Sequence, residues 1–139
     1  MTSRVLASHA LVALVLATGC NTTNTYTSNG NGGYTSVVTN GWLAYKATVD
    51  NVREGKLDDG TMKVQIDVRS DQLNPQRFNY LFEWYDAQGM KIDSATATWQ
   101  NRFIKPQETI TLSAVAPTRT CSRWVLKLSD EKQPFTPNN

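Results

Sequence analysis

Few side chains in this chain are suited to nucleophilic or metal chemistry. The 139 residues include a single histidine, His9, and two cysteines, Cys20 and Cys121. Imidazole and thiolate are the usual bases, nucleophiles and zinc ligands of proteins. The chemistry open to the chain therefore depends on which of these three residues belong to the folded protein.

The first 20 residues have the three parts of a secretory signal. Arg4 supplies a positive start, Val5–Leu16 is an apolar stretch, and the small residues of Ala17-Thr18-Gly19 precede Cys20. The apolar stretch is shorter than the roughly 20 residues that a membrane-spanning helix needs. The segment Ala17–Cys20 resembles the lipobox of bacterial lipoproteins, although Ala17 stands where leucine is usual. We therefore expect residues 1–19 to be a signal peptide and Cys20 to be acylated; an ordinary signal peptide with an incidental cysteine is the alternative.

Removal of the signal peptide would change the chemistry of the remaining chain. His9 would leave with it, which would exclude Ser-His-Asp and Cys-His catalysis and the usual zinc sites. Cys121 would then have no partner in the chain, and its place near the apolar run Trp124–Leu128 favours a buried thiol that packs as a small hydrophobe. We predict no catalytic residue, no metal site and no cofactor.

Carboxylates are the remaining candidates for chemistry. Asp58-Asp59-Gly60 could bind Ca²⁺, and Glu83 with Asp86 could form an acid–base pair. A hairpin turn at Asp-Gly, a turn at Asp86 and a solvated Glu83 explain the same residues more simply. We expect these structural roles.

Composition divides the chain after the predicted signal peptide, residues 1–19, into three parts. Residues 20–33 are mostly Asn, Thr, Ser and Gly, and are expected to form a flexible tether after the lipidated cysteine. Residues 34–130 are expected to form the domain, and residues 131–139 a loose tail. The net charge of +2 comes from scattered basic residues, which does not indicate nucleic-acid binding.

Alternating apolar residues predict an all-β domain. Met62, Val64, Ile66 and Val68 give the clearest strand, and Leu43–Val49, Phe78–Tyr85, Met90–Trp99, Ile110–Ala114 and Trp124–Leu128 are further candidates. No segment after the signal shows helical periodicity. We expect an antiparallel immunoglobulin-like β-sandwich of about seven strands, with a small closed barrel as the alternative.

Aromatic side chains are candidates for binding. Trp84 and Trp124 are expected in the core, because large aromatics are the natural filler of a small domain. Tyr85 and Trp99 lie on the opposite strand parity or near a strand end. If both are exposed, they form a candidate contact patch for a protein or a glycan.

Four segments resemble the YcfL-type family of small proteobacterial lipoproteins: Tyr80–Gly89 (YLFEWYDAQG), Ile104-Lys105-Pro106, Thr109–Ala116 and Trp124–Leu128. The resemblance implies an immunoglobulin-like periplasmic domain of unknown function, held by lipid in the outer membrane. Asn21 after the cysteine suggests the same membrane, by resemblance to enterobacterial sorting. Members of this family are often encoded beside a lipoprotein that activates a peptidoglycan synthase, so the resemblance suggests a connection with cell-wall synthesis.

We therefore expect a non-enzymatic, lipid-anchored accessory domain that binds an envelope protein. A glycan- or peptidoglycan-binding module that uses exposed aromatics is the alternative, and a hydrolase built on carboxylates is the third reading.

Overall fold

Alternation of apolar and polar residues organises residues 23–130, the part of the chain that the computed structural model describes, into strands joined by short turns. The predicted signal peptide, Cys20 and the tail 131–139 lie outside these residues. In chain order the elements are β1 (Thr23–Ser28), β2 (Tyr34–Val37), α1 (Gly41–Lys46), β3 (Thr48–Lys56), β4 (Met62–Arg69), β5 (Gln76–Asp86), β6 (Lys91–Ile92), β7 (Gln100–Ile104), β8 (Thr109–Val115) and β9 (Cys121–Ser129).

The strands form two antiparallel sheets that pack face to face. The six-stranded sheet has the order β2-β1-β9-β5-β6, with β7 also paired to β5, and the three-stranded sheet has the order β3-β4-β8. This arrangement confirms the predicted all-β antiparallel sandwich. The described residues contain nine strands, not about seven, because β1, β2 and β7 were not predicted.

Strand β4 shows how sequence sets the inner face of the three-stranded sheet. Val64, Ile66 and Val68 are completely buried, whereas the alternate residues remain partly exposed. Successive side chains of a strand point to opposite faces, so this period of two places the apolar set against the other sheet. The predicted turn before β4 is also present, where Gly60 has a φ of 84° and Leu57 N–H donates to Thr61 O at 2.8 Å.

The six-stranded sheet supplies the larger side chains of the core. Its inner face carries Phe78, Tyr80, Phe82 and Trp84 from β5 together with Trp124, Leu126 and Leu128 from β9. Trp84 is 2% exposed and Trp124 is completely buried, which confirms the prediction that both fill the core. The central position predicted for β5 is confirmed as well, since β5 lies between β9 and the β6 and β7 edge.

The tether predicted for residues 20–33 is wrong from residue 23 onward. β1 pairs with β9 on one side and with β2 on the other, and Asn29 N–H donates to Gly33 O at 3.1 Å in the connecting turn. The inward residues of β1 are Asn24, Tyr26 and Ser28, of which only Tyr26 is a large hydrophobic group. Polar composition concealed this strand because its buried groups are stabilised by hydrogen bonds instead of apolar packing.

The strand predicted to begin at Leu43 is also wrong, since α1 occupies residues 41–46. Asn40 caps this helix, because its side-chain Oδ1 accepts the Leu43 N–H at 3.0 Å. Leu43 and Ala47 are completely buried, whereas Tyr45 is exposed. Residues four apart lie on the same face in a helix and also in a strand, so the spacing of Leu43 and Ala47 could not distinguish a helix from a strand.

The long strand predicted for Met90–Trp99 is reduced to the two residues of β6. Ser94 and Thr96 close a turn instead, with Ala97 N–H donating to Ser94 O at 3.0 Å and the two hydroxyls 2.8 Å apart. Serine and threonine side chains stabilise such turns locally in competition with strand pairing. The chain then returns to the sheet as β7, antiparallel to the first half of β5.

Candidate interaction surfaces

The residues predicted to make contacts lie on the outer face of the six-stranded sheet. Tyr85 is half-buried near the end of β5, opposite Arg123 and Lys91 in the two adjacent strands. Trp99 is also half-buried and precedes β7; continuing the β5–β7 register by one residue places it opposite Leu81. Tyr85 and Trp99 therefore share a face but are separated by about four residues along β5. Neither is as exposed as a flat stacking platform requires.

Glu83 lies between these two aromatics and organises the face. Its side chain is 7% exposed and both carboxylate oxygens are bonded. Lys91 Nζ lies 2.8 Å from Oε1, Lys127 Nζ lies 2.9 Å from Oε2, and Tyr85 donates its hydroxyl to Oε2 at 3.2 Å. These four residues are called the Glu83 cluster below. The prediction that Glu83 is a solvated side chain is wrong, because β6 and β9 bring two lysines over it.

Burial and charge oppose one another at Glu83. Burial by itself raises the pKa of this carboxyl, but the hydrogen bonds and charges of Lys91 and Lys127 outweigh it and hold the pKa below its ordinary 4.5. The hydrogen bond to Glu83 raises the pKa of Lys91. Burial, followed by the charge of Glu83, raises the pKa of Tyr85. Glu83 is therefore a carboxylate at neutral pH and lacks the raised pKa of a general acid.

The other candidate carboxylates have the structural roles expected of turn residues. Asp59 Oδ1 accepts the Thr61 N–H at 2.8 Å, and Asp86 Oδ1 accepts the N–H groups of Gln88 and Met90 at 2.9 and 2.8 Å. Within residues 23–130, no group of three or more His, Cys, Asp or Glu side chains could hold a metal ion. Cys121 is free and 6% exposed, which confirms the predicted buried thiol.

A second carboxylate that sequence reasoning missed joins the two sheets. Glu54, near the end of β3, accepts the indole N–H of Trp124 at 2.6 Å and the hydroxyl of Ser28 at 3.0 Å. The inward parity that Glu54 shares with Val52 and Val64 was the available signal. The first bond gives the buried Trp124 indole its partner, and the second ties β1 to the three-stranded sheet.

Exposed apolar residues collect at one end of the sandwich, where sequence reasoning did not place a surface. Val38, Trp42, Tyr45 and Leu73 are 49%, 63%, 59% and 83% exposed, respectively, and are called the aromatic pole. Trp42 and Tyr45 are three residues apart on α1, so they lie on one side of the helix. Asp71 N–H donates to Tyr45 O at 2.9 Å, which brings the β4–β5 loop containing Leu73 to the same end.

The chain enters the domain at this same end. Thr23, the first residue of β1, lies opposite Ser129 near the end of β9, and its carbonyl accepts the Thr39 hydroxyl at 2.7 Å. Lys46 of α1 forms a 2.6 Å ion pair with Asp130, the residue after β9. Among the described residues, no helix is long and apolar enough to cross a membrane.

Two antiparallel sheets packed face to face define a small β-sandwich domain. The chain belongs to the family described as a protein of unknown function (DUF1425), whose model matches residues 34–130.

Two solved structures share the fold. A DUF1425 family member from Shewanella sp. pv-4 superposes with a TM-score of 0.55 at 17% identity, covering 81% of this chain and 90% of its own. Campylobacter jejuni cj0090 superposes with a TM-score of 0.53 at 14% identity, covering 63% of this chain and 88% of its own. None of the curated proteins matches the sequence. At these identities the likeness defines the fold and no activity.

Proposed function

We propose that this protein is a lipid-anchored accessory domain of the bacterial envelope. In this proposal acylated Cys20 holds it in the outer membrane on the periplasmic side, and it binds an envelope protein instead of catalysing a reaction. The lipobox-like Ala17–Cys20 and the likeness to YcfL-type lipoproteins support the anchor. The connection of those lipoproteins with cell-wall synthesis makes the cell-wall machinery the first place to look for the partner.

The observation that carries partner binding is the ordered charge on the outer face of the six-stranded sheet. Glu83 is fixed by Lys91 and Lys127, and Arg123 is exposed beside Tyr85. Lys91 and Lys127 bond the buried carboxylate, and Arg123 adds a third cation beside Tyr85, so positive charge exceeds the negative charge of Glu83 and Asp93 here. Such a surface complements a partner that presents acidic side chains.

Mass spectrometry tests the anchor. The membrane-extracted protein should begin at Cys20 and carry acyl chains there, and Cys20→Ser should release the protein into the soluble fraction. A mature terminus without acyl chains contradicts the lipid anchor.

Site-specific crosslinking in living cells tests the surface. A photoreactive amino acid in place of Arg123 should give a discrete crosslinked protein, identified by mass spectrometry. The same group in place of Thr109, an exposed residue at the start of β8 on the other sheet, is the matched control. Equal crosslinking from both positions, or none from position 123, contradicts partner binding at this face.

Glycan binding is the second candidate, favoured by the position of Tyr85 and Trp99 on one face of one sheet. Purified cell-wall sacculi should then retain the protein, and Tyr85→Ala or Trp99→Ala should abolish retention. Retention that both variants preserve argues against these aromatics as the glycan contact.

A further inference from the structure

The described fold leaves very little chain between the domain and the proposed lipid. β1 begins at Thr23, so only residues 21 and 22 separate it from Cys20. Three residues reach at most about 10 Å when fully extended. If Cys20 is acylated as proposed, Thr23 therefore lies within about 10 Å of the acylated residue, a distance set by covalent geometry alone.

The surface nearest to that point is the aromatic pole. Thr23 O accepts the Thr39 hydroxyl, and the Asn24 side chain bonds Thr39 and Asn40, the two residues that lead into α1. Three bonds of 2.8–3.0 Å hold Asn24 there: its Oδ1 accepts both N–H groups and its Nδ2 donates to Asn40 O. Hydrogen bonds thus tie the entry point of the chain directly to the residues that begin the helix carrying Trp42 and Tyr45.

The chemistry of this end suits a membrane interface. Trp and Tyr are enriched at headgroup depth, because an apolar ring with one polar group fits the boundary between hydrocarbon and water. Val38 and Leu73 add exposed aliphatic groups at the same end.

Three acidic groups near this end have cationic partners that reduce repulsion from anionic headgroups, whereas Glu108, in the turn before β8, accepts the backbone N–H of Lys105. Asp130 pairs with Lys46 at 2.6 Å, Asp50 pairs with Arg69 at 2.8 Å, and Asp71 pairs with the same arginine.

We infer that the aromatic pole lies in the headgroup region of the membrane that holds Cys20, so that the domain stands docked on the bilayer. This inference rests on the proposed acylation. It fixes the orientation of the sandwich: α1 and the β4–β5 loop face lipid, and the turns at the other end, including Gly60 and Gly89, point into the periplasm.

Lipid-depth quenching of tryptophan fluorescence tests the docking. Acylated protein is reconstituted into vesicles of phosphatidylethanolamine and phosphatidylglycerol, with and without brominated acyl chains. Because Trp42 is exposed whereas Trp84 and Trp124 are buried, brominated lipid should quench a component of the emission that Trp42→Phe removes. Trp99→Phe is the matched control and should leave that component in place.

A second variant protects the test from a simple packing defect. Adding Tyr45→Trp to Trp42→Phe returns an indole to the same side of α1 and should restore quenching. Quenching that is absent from the acylated parent protein, or that survives Trp42→Phe, overturns the docking. Shielding of Trp42 from aqueous acrylamide without quenching by brominated lipid assigns the pole to a protein partner or a second copy, and also overturns it.

Mass spectrometry of the same sample separates the two failures. Protein without acyl chains contradicts the proposed anchor, whereas acylated protein with unquenched Trp42 contradicts only the docking.

Discussion

The two sheets of this sandwich hold polar side chains in opposite ways. In the three-stranded sheet, apart from the inward Glu54, apolar residues face the core, and charged residues such as Asp67 and Arg53 pair on the outer face near water. In the six-stranded sheet polar residues are buried on both faces: Asn24 is completely buried on the inner face and Glu83 is 5% exposed on the outer face. Both sheets satisfy these groups, since no buried side-chain nitrogen or oxygen of the described residues lacks a partner.

This difference between the sheets predicts which hydrogen bonds and ion pairs contribute most to the free energy of unfolding. A buried polar group that loses its partner costs far more than an exposed ion pair contributes, because water cannot replace the lost bond. The three-stranded sheet should therefore depend on apolar packing and tolerate loss of its outer-face charges. The six-stranded sheet should be sensitive to particular hydrogen bonds and ion pairs. Four variants test this contrast.

Ile66→Ala in β4 should have the largest effect. Ile66 is completely buried between the sheets, and truncation of such a side chain typically costs about 3–4 kcal/mol of unfolding free energy. Urea denaturation followed by tryptophan fluorescence measures the loss. Gln65→Ala, on the outer face of the same strand, is the control and should change stability by less than about 0.5 kcal/mol.

The double change Lys91→Ala and Lys127→Ala should cost about 3 kcal/mol at neutral pH, since it leaves the Glu83 carboxylate buried without a cation. In the parent protein the lowered pKa of Glu83 contributes stability above its ordinary 4.5, and that stability is lost as pH falls through the folded-state value. Without the lysines burial dominates and raises the pKa, so the deficit should shrink as pH falls below the raised value.

A double-mutant cycle isolates this interaction. In a Glu83→Gln background the two lysine substitutions should cost little, because no buried charge remains. An equal cost in both backgrounds would show that the lysines stabilise through packing of their stems.

Asn24→Ala should cost about 2 kcal/mol, because it leaves the N–H groups of Thr39 and Asn40 without their acceptor. Hydrogen exchange of these two amides should accelerate beyond the change expected from global stability. Thr25→Ala, the next residue and half-buried on the outer face, serves as the control. Unchanged exchange at Thr39 and Asn40 would contradict the role assigned to Asn24.

Asp67→Asn should have the smallest effect. Arg53 hydrogen-bonds Asp67 at 2.6 and 2.7 Å and, with Thr111, holds the pKa of Asp67 well below its ordinary 3.8. The stability from this pair is present above pH 3.8 and is lost as pH falls through the depressed value. Unfolding free energy measured against pH should therefore fall less steeply in the variant. A loss at neutral pH as large as that of Asn24→Ala would remove the contrast between the sheets.

The same contrast explains what the sequence could predict. In the three-stranded sheet β4 and β8 alternate cleanly, so both were predicted within about a residue of their bounds, whereas only the first two residues of β3 fell within the strand predicted from Leu43. The sandwich fold followed from the number and spacing of all the predicted strands. β1 was missed because Asn24 and Ser28 occupy inward positions that a pattern of apolar residues does not count. Its stability comes from partners on other elements, Asn40 and Glu54, which are remote in sequence.

The candidate surfaces were less predictable than the fold. Tyr85 was selected correctly as an outer-face residue, but Glu83 was taken as solvated because its lysines come from β6 and β9. Tyr45 was read as part of the strand Leu43–Val49 and Trp42 as the residue before it, and only the Asn40 cap indicated a helix. Acylation of Cys20 stays a prediction from the pattern Ala17–Cys20.

Pairing of β1 with both β2 and β9 has a mechanical consequence. When the load that opposes tension at Thr23 acts at the far end of the sandwich, the force runs along β1, parallel to its neighbours. Hydrogen bonds on both sides of β1 then share the force and resist it together, instead of opening one after another from an end. Under that loading the first strand leaves the sheet only if both of its hydrogen-bonded ladders shear together.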